Sequence, residues 1–594
     1  MKDSSRLLTI PAALQAAVER FGDRPAYLEV RGSERRTVSW SEIDGAARRL
    51  AAALVSRLGL QKGDRVAICA ENGIDWLIAL HGIALAGGVA VLVYTELKQA
   101  ELRHQIDWAG CRFLVASRDV LEKLPDDLPA LERVIVTGGG APEGPFEAVS
   151  LKELYESPSG KGGSSPEPEP DDLAAIIYTS GTTGGAKGVM LSHRNFLADG
   201  HAILAALDVS EKDVLLAVLP LHHAMPFIAC IVLPPLVGAF VVLENDLRRM
   251  RERLREERPT VFFGVPALFE VVYRNLLARA EAEGRLKTLL GWQKRLRLFK
   301  RLTGVNLAPV VFRQVHRALG GRLRFMFSGG AALNPRTALD FFSLGLPLLQ
   351  GWGMSEAGPA IAVQRYYRRR FLFTRYYERH AGSVGEALPG VEVRLIDVAE
   401  KGIRVAEQGE GEVIVHGENV FRGYWNAPEA TALALRSGWL HTGDLGRIDA
   451  GGNIYLTGRS KDIIVLESGE KVHPDELEAK LSESALIEDV CVLGRRRDDK
   501  THVAAIIYPS VEGLQAEAAK ARETPNEDQL RRLVTADVER LCRQLAPYKR
   551  VSRIELCDAP LPKTALRKVQ RGRIAPEYAF SFDAWLATGA SVEE

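Results

Sequence analysis

The sequence predicts an α/β fold: a large N-terminal domain of mainly parallel sheets with helices, a β-rich subdomain, and a small C-terminal α+β domain. Three observations carry this expectation. Short β-branched runs alternate with helical patterns along the chain, as βαβ units do. Beyond residue 380 the pattern changes to shorter strands punctuated by Gly and Asp turns. From about Lys461 a new α/β unit begins, which divides the chain into residues 1–460 and 461–594.

In chain order, "MKDSSRLLTIPAALQAAVERF" reads as a capped amphipathic helix, since its early acidic and polar residues make it a poor signal peptide. "DRVAICA", "NGIDWLIALHGIALAGG" and "VAVLVY" form a strand–helix–strand unit, and "CRFLVAS", "RVIVTG", "PTVFFGV" and "LRFMFSGG" are further buried strands. Residues 157–172, "SPSGKGGSSPEPEPDD", read as an exposed loop. "RRMRERLREER" mixes acids and bases and reads as a solvated helix face. "VEVRLID", "GEVIVHG" and "NIYLTG" supply the β-rich part. "KVHPDELEAKLSE", "VCVLGRR", "HVAAIIYPS" and a long helix around "DQLRRLVTADVERLCRQL" supply the last domain.

With 594 residues the chain exceeds one ordinary core, and 46% hydrophobic with 26% charged residues is the profile of a soluble globular protein. A net charge of +1 gives no global field for nucleic acid. Six cysteines stand singly with no C-x-x-C pair, a usage that fits reduced cytoplasmic thiols rather than disulfides or a zinc site. The longest apolar run, "FIACIVLPPLVGAFVVL", is interrupted by Pro234 and Pro235 and reads as core rather than a membrane span.

The segment "YTSGTTGGAKGVMLSHRNF" follows the apolar "LAAIIY". Thr179, Ser180, Gly181, Thr182, Thr183 and Gly184, closed by Lys187, combine freed backbone N–H groups, hydroxyls and one cation, which is a nest for phosphate oxygens. It is not a Walker A loop, because Lys187 is followed by "GVMLSHRNF" instead of an immediate helix.

Eight more strings follow: "LPLHHAM", "PTVFFGVPALFE", "SGGAAL", "QGWGMSEAGP", "GSVGEALPGVEVRL", "WLHTGDLGRID", "LTGRSKDIIVLESGEKVHPDELE" and "LPKTALRKVQR". On these motifs, in this order and over nearly its whole length, the sequence resembles the adenylate-forming (AMP-binding) superfamily. The resemblance implies an enzyme that joins a carboxylate to the α-phosphate of ATP, releases pyrophosphate, and passes the acyl group to a thiol. It implies that residues 179–187 grip the β- and γ-phosphates, with Thr183 and Glu356 holding Mg²⁺, for which hard oxygen ligands are suited. Gly330, Ala331, Gln350, Gly351, Trp352, Gly353 and Ser355 would form the adenine slot. Trp352 and Ser355 stand where the family usually has Tyr and often Thr, which keeps a stacking face and a hydroxyl. Asp444 would accept the ribose hydroxyls, assisted by Arg459.

Lys568 matches the lysine that contacts the α-phosphate and carboxylate during adenylation, where a cation favours the transition state. Arg567 departs from the usual Gly beside it. Lys461 occupies the hinge, so the C-terminal domain is expected to be mobile and to pivot there, with Gly469 near the thiol passage. His223 matches a histidine near the acyl pocket, whereas His222 has no such counterpart.

The wording around "SKDIIVLESGEKVHPDELE" and the insert "GRLKTLLGWQKRLRLFKRLTG" resemble long-chain fatty acyl-CoA synthetases most. The implied substrates are a fatty acid, ATP and coenzyme A. An acyl carrier protein as acceptor, release of the adenylate itself, and a non-catalytic family member that binds nucleotide or acyl chains stand as alternatives. The insert and residues 365–380, "RYYRRRFLFTRYYERH", mix Arg and Lys with aromatics. They suit either the inner membrane surface, contacted peripherally, or solvated helix faces with one side buried.

Overall fold

Apolar strand runs and amphipathic helices resolve, in the computed structural model, into two compact units: Met1–Val393 with Val415–His441, and Arg394–Ile414 with Thr442–Glu594. Described residues are 8–125, 127–140, 146–157, 167–179, 186–366, 377–466, 470–497, 500–522, 524, 526–564, 569–574, 580–583 and 585–586.

The first unit holds two sheets. One runs, edge to edge, through Ala148–Ser150, Arg133–Val136, Phe113–Ala116, Arg65–Cys69, Val89–Leu92, Leu173–Thr179 and Lys187–Ser192. All its pairs are parallel except the last, where Leu173–Thr179 meets Lys187–Ser192 antiparallel. The other runs from Glu34–Ser39 and Pro25–Arg31 through Phe240–Leu243, Val214–Ala217, Val261–Gly264, Phe325–Ser328 and Leu348–Gly353 to Ala360–Val363 and Gly385–Ala387. Its middle is parallel and its ends antiparallel, so the sheets are mixed. The parallel strands Phe113–Ala116, Val261–Gly264 and Phe325–Ser328 are buried along their whole length, and Arg65–Cys69 is buried after its first residue, which is why they read as continuous apolar runs.

Helix Ile10–Phe21 is capped by Thr9, whose hydroxyl accepts from the Ala12 N–H. The run with Pro234 and Pro235 is buried, and the prolines open the helix Leu233–Val237, where a missing N–H costs nothing. The helix Met250–Glu257 has the solvated face expected of it in Arg251, Glu252, Arg255 and Glu256, and Arg253 is the residue that departs from it. Arg253 is buried and pairs with Glu244 at 3.0 Å and with Glu256, because the neighbouring strand end supplies an acid that composition alone does not locate. Among the described residues no helix is long and apolar enough to cross a membrane. Residues 158–166 of the loop and 367–376 of the aromatic–basic stretch lie outside the described residues.

In the second unit Ile487–Arg497 pairs antiparallel with Lys500–Pro509, which pairs parallel with Arg553–Leu556. Helices Pro474–Leu481, Val511–Ala521 and Glu527–Cys542 contribute to a core that includes Leu477, Leu514, Leu530, Val534 and the fully buried Trp585.

Candidate active site

Thr179 ends one strand and Lys187 begins the next, directly opposite it. Residues 180–185 join them, so Ser180, Gly181, Thr182, Thr183 and Gly184 lie outside the described residues. The chain therefore leaves this segment as a strand, and the helix His193–Ala206 starts only after Ser192, which caps it with Asn195 in a reciprocal box. That order separates it from a loop feeding straight into a helix.

Lys187 carries its ammonium 5.3 Å from the centre of the Tyr424 ring. Tyr424 in turn donates its hydroxyl to the carboxylate of Glu356 at 2.7 Å. Burial, and then the neighbouring Glu356 charge, raise the phenol far above its ordinary range, so it stays a donor. Glu356 is buried on the short turn Ser355–Ala357, and its carbonyl accepts the Phe421 N–H at 2.9 Å. Tyr424 thus has Lys187 over its ring and Glu356 at its hydroxyl. Tyr424 was not singled out in the sequence; "NVFRGYWN" shows an aromatic beside Gly, but a lone tyrosine has no spacing signature.

Gly330 and Ala331 lie just past the C-terminal end of Phe325–Ser328, whose Ser328 is in register with Gln350. Gln350, Gly351, Trp352 and Gly353 finish the adjacent parallel strand, so the two motifs come together at strand carboxyl ends, where ligands of parallel sheets sit. Close packing explains the glycines: a Cβ on Gly329 would stand 2.7 Å from the Met225 sulfur, and one on Gly351 would collide with the Phe327 ring. Ser355 follows at the first position of the turn that carries Glu356.

Met225 links this region to His223, which precedes the helix Ala224–Phe227. His222 and His223 have ring centroids 4.2 Å apart, and Tyr94 lies 4.7 Å from His222. Burial lowers His223 to about 4, and burial with the His223 neighbour lowers His222 well below its ordinary value, so both rings are neutral at physiological pH. Asn72 fixes the preceding turn: its amide donates to the Leu219 carbonyl at 3.0 Å and accepts from the Leu221 N–H at 2.8 Å. Neither Asn72 nor Tyr94 was legible as part of this region, since they come from the distant first βαβ unit.

In the second unit Asp444 is directly opposite Arg459, and their side chains pair at 2.9 Å. Gly443, at φ +69°, lies just before Asp444 within the strand Trp439–Ile448 and donates its N–H to Glu412 at 3.0 Å. The Asp444 N–H donates to the Thr442 hydroxyl at 3.0 Å. Arg459 ends its strand, and Lys461 follows, itself exposed, on the single turn Ser460–Asp462. Gly469 (residues 467–469) and Lys568 with Arg567 (residues 565–568) lie outside the described residues. What flanks them is described. Leu466 donates to the Glu470 carbonyl at 2.9 Å across the first gap. Lys563 bridges Val569 and Gln570 donates to the Pro562 carbonyl at 2.8 Å across the second. Arg571, beyond it, is held by Asp462 at 3.4 Å, Glu478 at 2.6 Å and Asp475.

Residues 14–425 match the family model of the AMP-binding enzyme, and residues 461–588 match that of the AMP-binding enzyme C-terminal domain. The mouse long-chain-fatty-acid–CoA ligase ACSBG2 is 30% identical over 511 residues, covering 80% of this chain and 73% of that protein. Long-chain-fatty-acid–CoA ligase 1 of Schizosaccharomyces pombe is 29% identical over 94% of this chain and 87% of its own length. Among solved structures, the anthranilate CoA ligase AuaEII with anthranoyl-AMP superimposes with a TM-score of 0.76 at 22% identity, covering 100% of this chain and 99% of that one. ATP-bound MatB from Rhodopseudomonas palustris gives 0.72 at 26% identity, covering 95% of this chain and 97% of that one. Matched in chain order across both regions that hold the motifs, this chain belongs to the AMP-binding enzyme family of adenylate-forming ligases.

Proposed function

We propose that the protein is an ATP-dependent ligase that joins a long-chain fatty acid to coenzyme A. A carboxylate oxygen of the acid attacks the α-phosphorus of ATP, the bond to the β-phosphate bridging oxygen breaks, and pyrophosphate leaves. The sulfur of coenzyme A then attacks the acyl carbon, the thiol proton is lost, and AMP departs. The observation that carries the reading is the Tyr424 ring, which holds the buried Glu356 carboxylate through its hydroxyl and lies under Lys187, the residue that closes the hydroxyl- and glycine-rich motif of the sequence. Cation and acid at one place are what a polyphosphate and its counter-ion require.

The residues fit Mg²⁺ as a hard cation. Glu356 is a buried carboxylate, and no group of three or more His, Cys, Asp or Glu occurs among the described residues, so most ligands would come from phosphate oxygens and water. When bound, the ion supplies charge neutralisation on the phosphate oxygens. Glu356 and Thr183 would hold it, and Tyr424 orients Glu356. Lys187, with residues 179–184, binds the departing phosphates. Gly330, Ala331, Gln350, Gly351, Trp352, Gly353 and Ser355 hold adenine. Asp444 and Arg459 hold ribose. Lys568 delivers positive charge to the reacting α-phosphate, and His223, neutral, positions the carboxylate. Lys461 is the pivot of a mobile domain over 461–594, and Gly469 lines the thiol passage. Long-chain specificity is supported by the names of relatives 29% and 30% identical and by the insert that resembles such synthetases.

The deciding experiment is a pyrophosphate-release screen over short, long and aromatic acids, each with coenzyme A, with acyl carrier protein, and with no thiol. The reading expects release to be greatest with long acyl chains and a thioester to form on coenzyme A. Preference for aromatic acids, or transfer only to the carrier protein, would overturn it.

A further inference from the structure

Nine of the sixteen large apolar side chains that stand most exposed among the described residues fall between Leu290 and Val311. The helix Leu286–Thr303 explains part of this. It turns Gln293, Leu296 and Lys300 inward, where Leu296 packs with Ala308, Phe312 and Leu344. Helical spacing then sends Leu298 and Leu302 to the opposite side, 58% and 74% exposed, with Phe299 and Trp292 flanking them. After Gly304 the chain turns, leaving Val305 and Val310 exposed at 50% and 73%. An apolar patch of this kind on a charged protein marks an interaction surface.

Its charge is one-signed. From Gly284 to Leu339 the sequence has no Asp or Glu and twelve Lys or Arg, in a chain of net charge +1. Arg297 pairs with Glu378 at 3.6 Å. Lys287, Lys294, Arg295 and Arg301 are exposed on the same outward side as Leu298 and Leu302. No acidic side chain among the described residues pairs with these four, and Arg295 lies over the Trp292 ring at 5.9 Å.

We infer that Leu286–Thr303 and the turn after it form a docking face for an anionic lipid bilayer. The face is not a span, since no helix among the described residues is long and apolar enough to cross. It is a surface-lying wedge: Leu298, Leu302, Val305 and Val310 enter the head-group boundary, while the lysine and arginine heads stay at phosphate level on their apolar stems. Charge decides between a bilayer and a second copy of the chain. Two such faces brought together would oppose cations to cations, whereas anionic head groups neutralise them. The inference stands on this surface alone and is independent of which acid is activated.

The test is sedimentation of the full chain with vesicles of phosphatidylcholine and of phosphatidylcholine mixed with phosphatidylglycerol. Binding to the anionic vesicles should exceed binding to the neutral ones by about tenfold at low salt and fall as salt rises. Leu302→Asp with Val310→Asp, and separately Lys294→Glu with Arg301→Glu, should each lower anionic binding by about tenfold at unchanged melting temperature. All four side chains are exposed, so folding is spared. Equal binding to both vesicle types, or parent-like binding by both variants, would overturn the inference. So would a parent dimer that both variants split and that ignores vesicles.

Discussion

The Tyr424 hydroxyl donates to the Glu356 carboxylate at 2.7 Å, while the same ring lies 5.3 Å from the Lys187 ammonium. One aromatic side chain therefore fixes the acid of "GMSEAG" relative to the lysine that closes the glycine-rich segment, two features far apart in sequence. The tyrosine helps to set the orientation of that buried carboxylate.

Tyr424→Phe removes one donor to a buried charged group and keeps the ring under Lys187. Hydrogen bonds to charged groups contribute about 1.5–3 kcal/mol, so pyrophosphate release should slow by roughly 10- to 100-fold. The Mg²⁺ concentration for half-maximal rate should rise with it. Parent-like rate and Mg²⁺ dependence would show that Glu356 needs no such orientation.

Lys568 and Lys461 are predicted to separate the two half-reactions. The ends of the segment that carries Lys568 are fixed by the Lys563–Val569 bridge and by Arg571, so Lys568→Ala should leave its base intact. Acyl-AMP formation should drop by about 10²- to 10³-fold, as for loss of a transition-state charge partner, while added acyl-AMP is converted to thioester at the parent rate. Unchanged pyrophosphate release would remove Lys568 from the chemistry.

Lys461→Pro fixes φ on the turn Ser460–Asp462 and restricts the residue before it. If the domain pivots there, adenylation stays near the parent rate and thioester formation falls by about tenfold or more. Equal loss of both steps would remove the pivot.

Asp444 pairs with Arg459 at 2.9 Å, and the ribose-binding role proposed for it makes a prediction about sugar choice. The parent should use ATP better than 2′-deoxy-ATP. Asp444→Asn should raise the KM for ATP by about tenfold and narrow that preference, because an amide accepts at one oxygen where a carboxylate accepts at two. A preference that survives the substitution would assign the ribose to other groups.

The strands were legible because parallel strands buried on both faces are continuous apolar runs: "DRVAICA" became Arg65–Cys69 and "PTVFFGV" became Val261–Gly264. The glycine-rich and acidic motifs were legible because close approach and charge restrict residue type strongly. What was missed depends on tertiary partners. Tyr424 acquires its part only when Glu356 is brought beside it, and Asn72 only when its amide reaches Leu219 and Leu221 across the fold. Arg253 read as solvated because nothing in "RRMRERLREER" announces that Glu244 awaits it at a strand end. Local pattern reports burial and turn chemistry; it does not report which polar groups meet.

His81 offers a prediction of the opposite kind, for a residue with no assigned chemistry. It is 1% exposed on the buried helix Ile74–Leu85, and neither ring nitrogen has a hydrogen-bond partner among the described residues. Burial lowers its pKa from 6.5 to about 4. Between those values the unfolded chain binds a proton that the native ring refuses, so this contribution to stability is whole above pH 6.5 and is lost as pH falls toward 4. Replacing the ring by an apolar side chain of similar size removes that loss and an unpaired buried polar group together. His81→Leu should therefore melt higher than the parent at pH 8 by an amount near 1 kcal/mol, the desolvation cost of one unpaired group. At pH 5 the gain should grow by about 2 kcal/mol, since one and a half units of differential protonation correspond to that energy. Paired thermal melts at the two pH values read the difference directly. Equal gains at both would mean that the His81 ring is protonated in the native state and holds a partner.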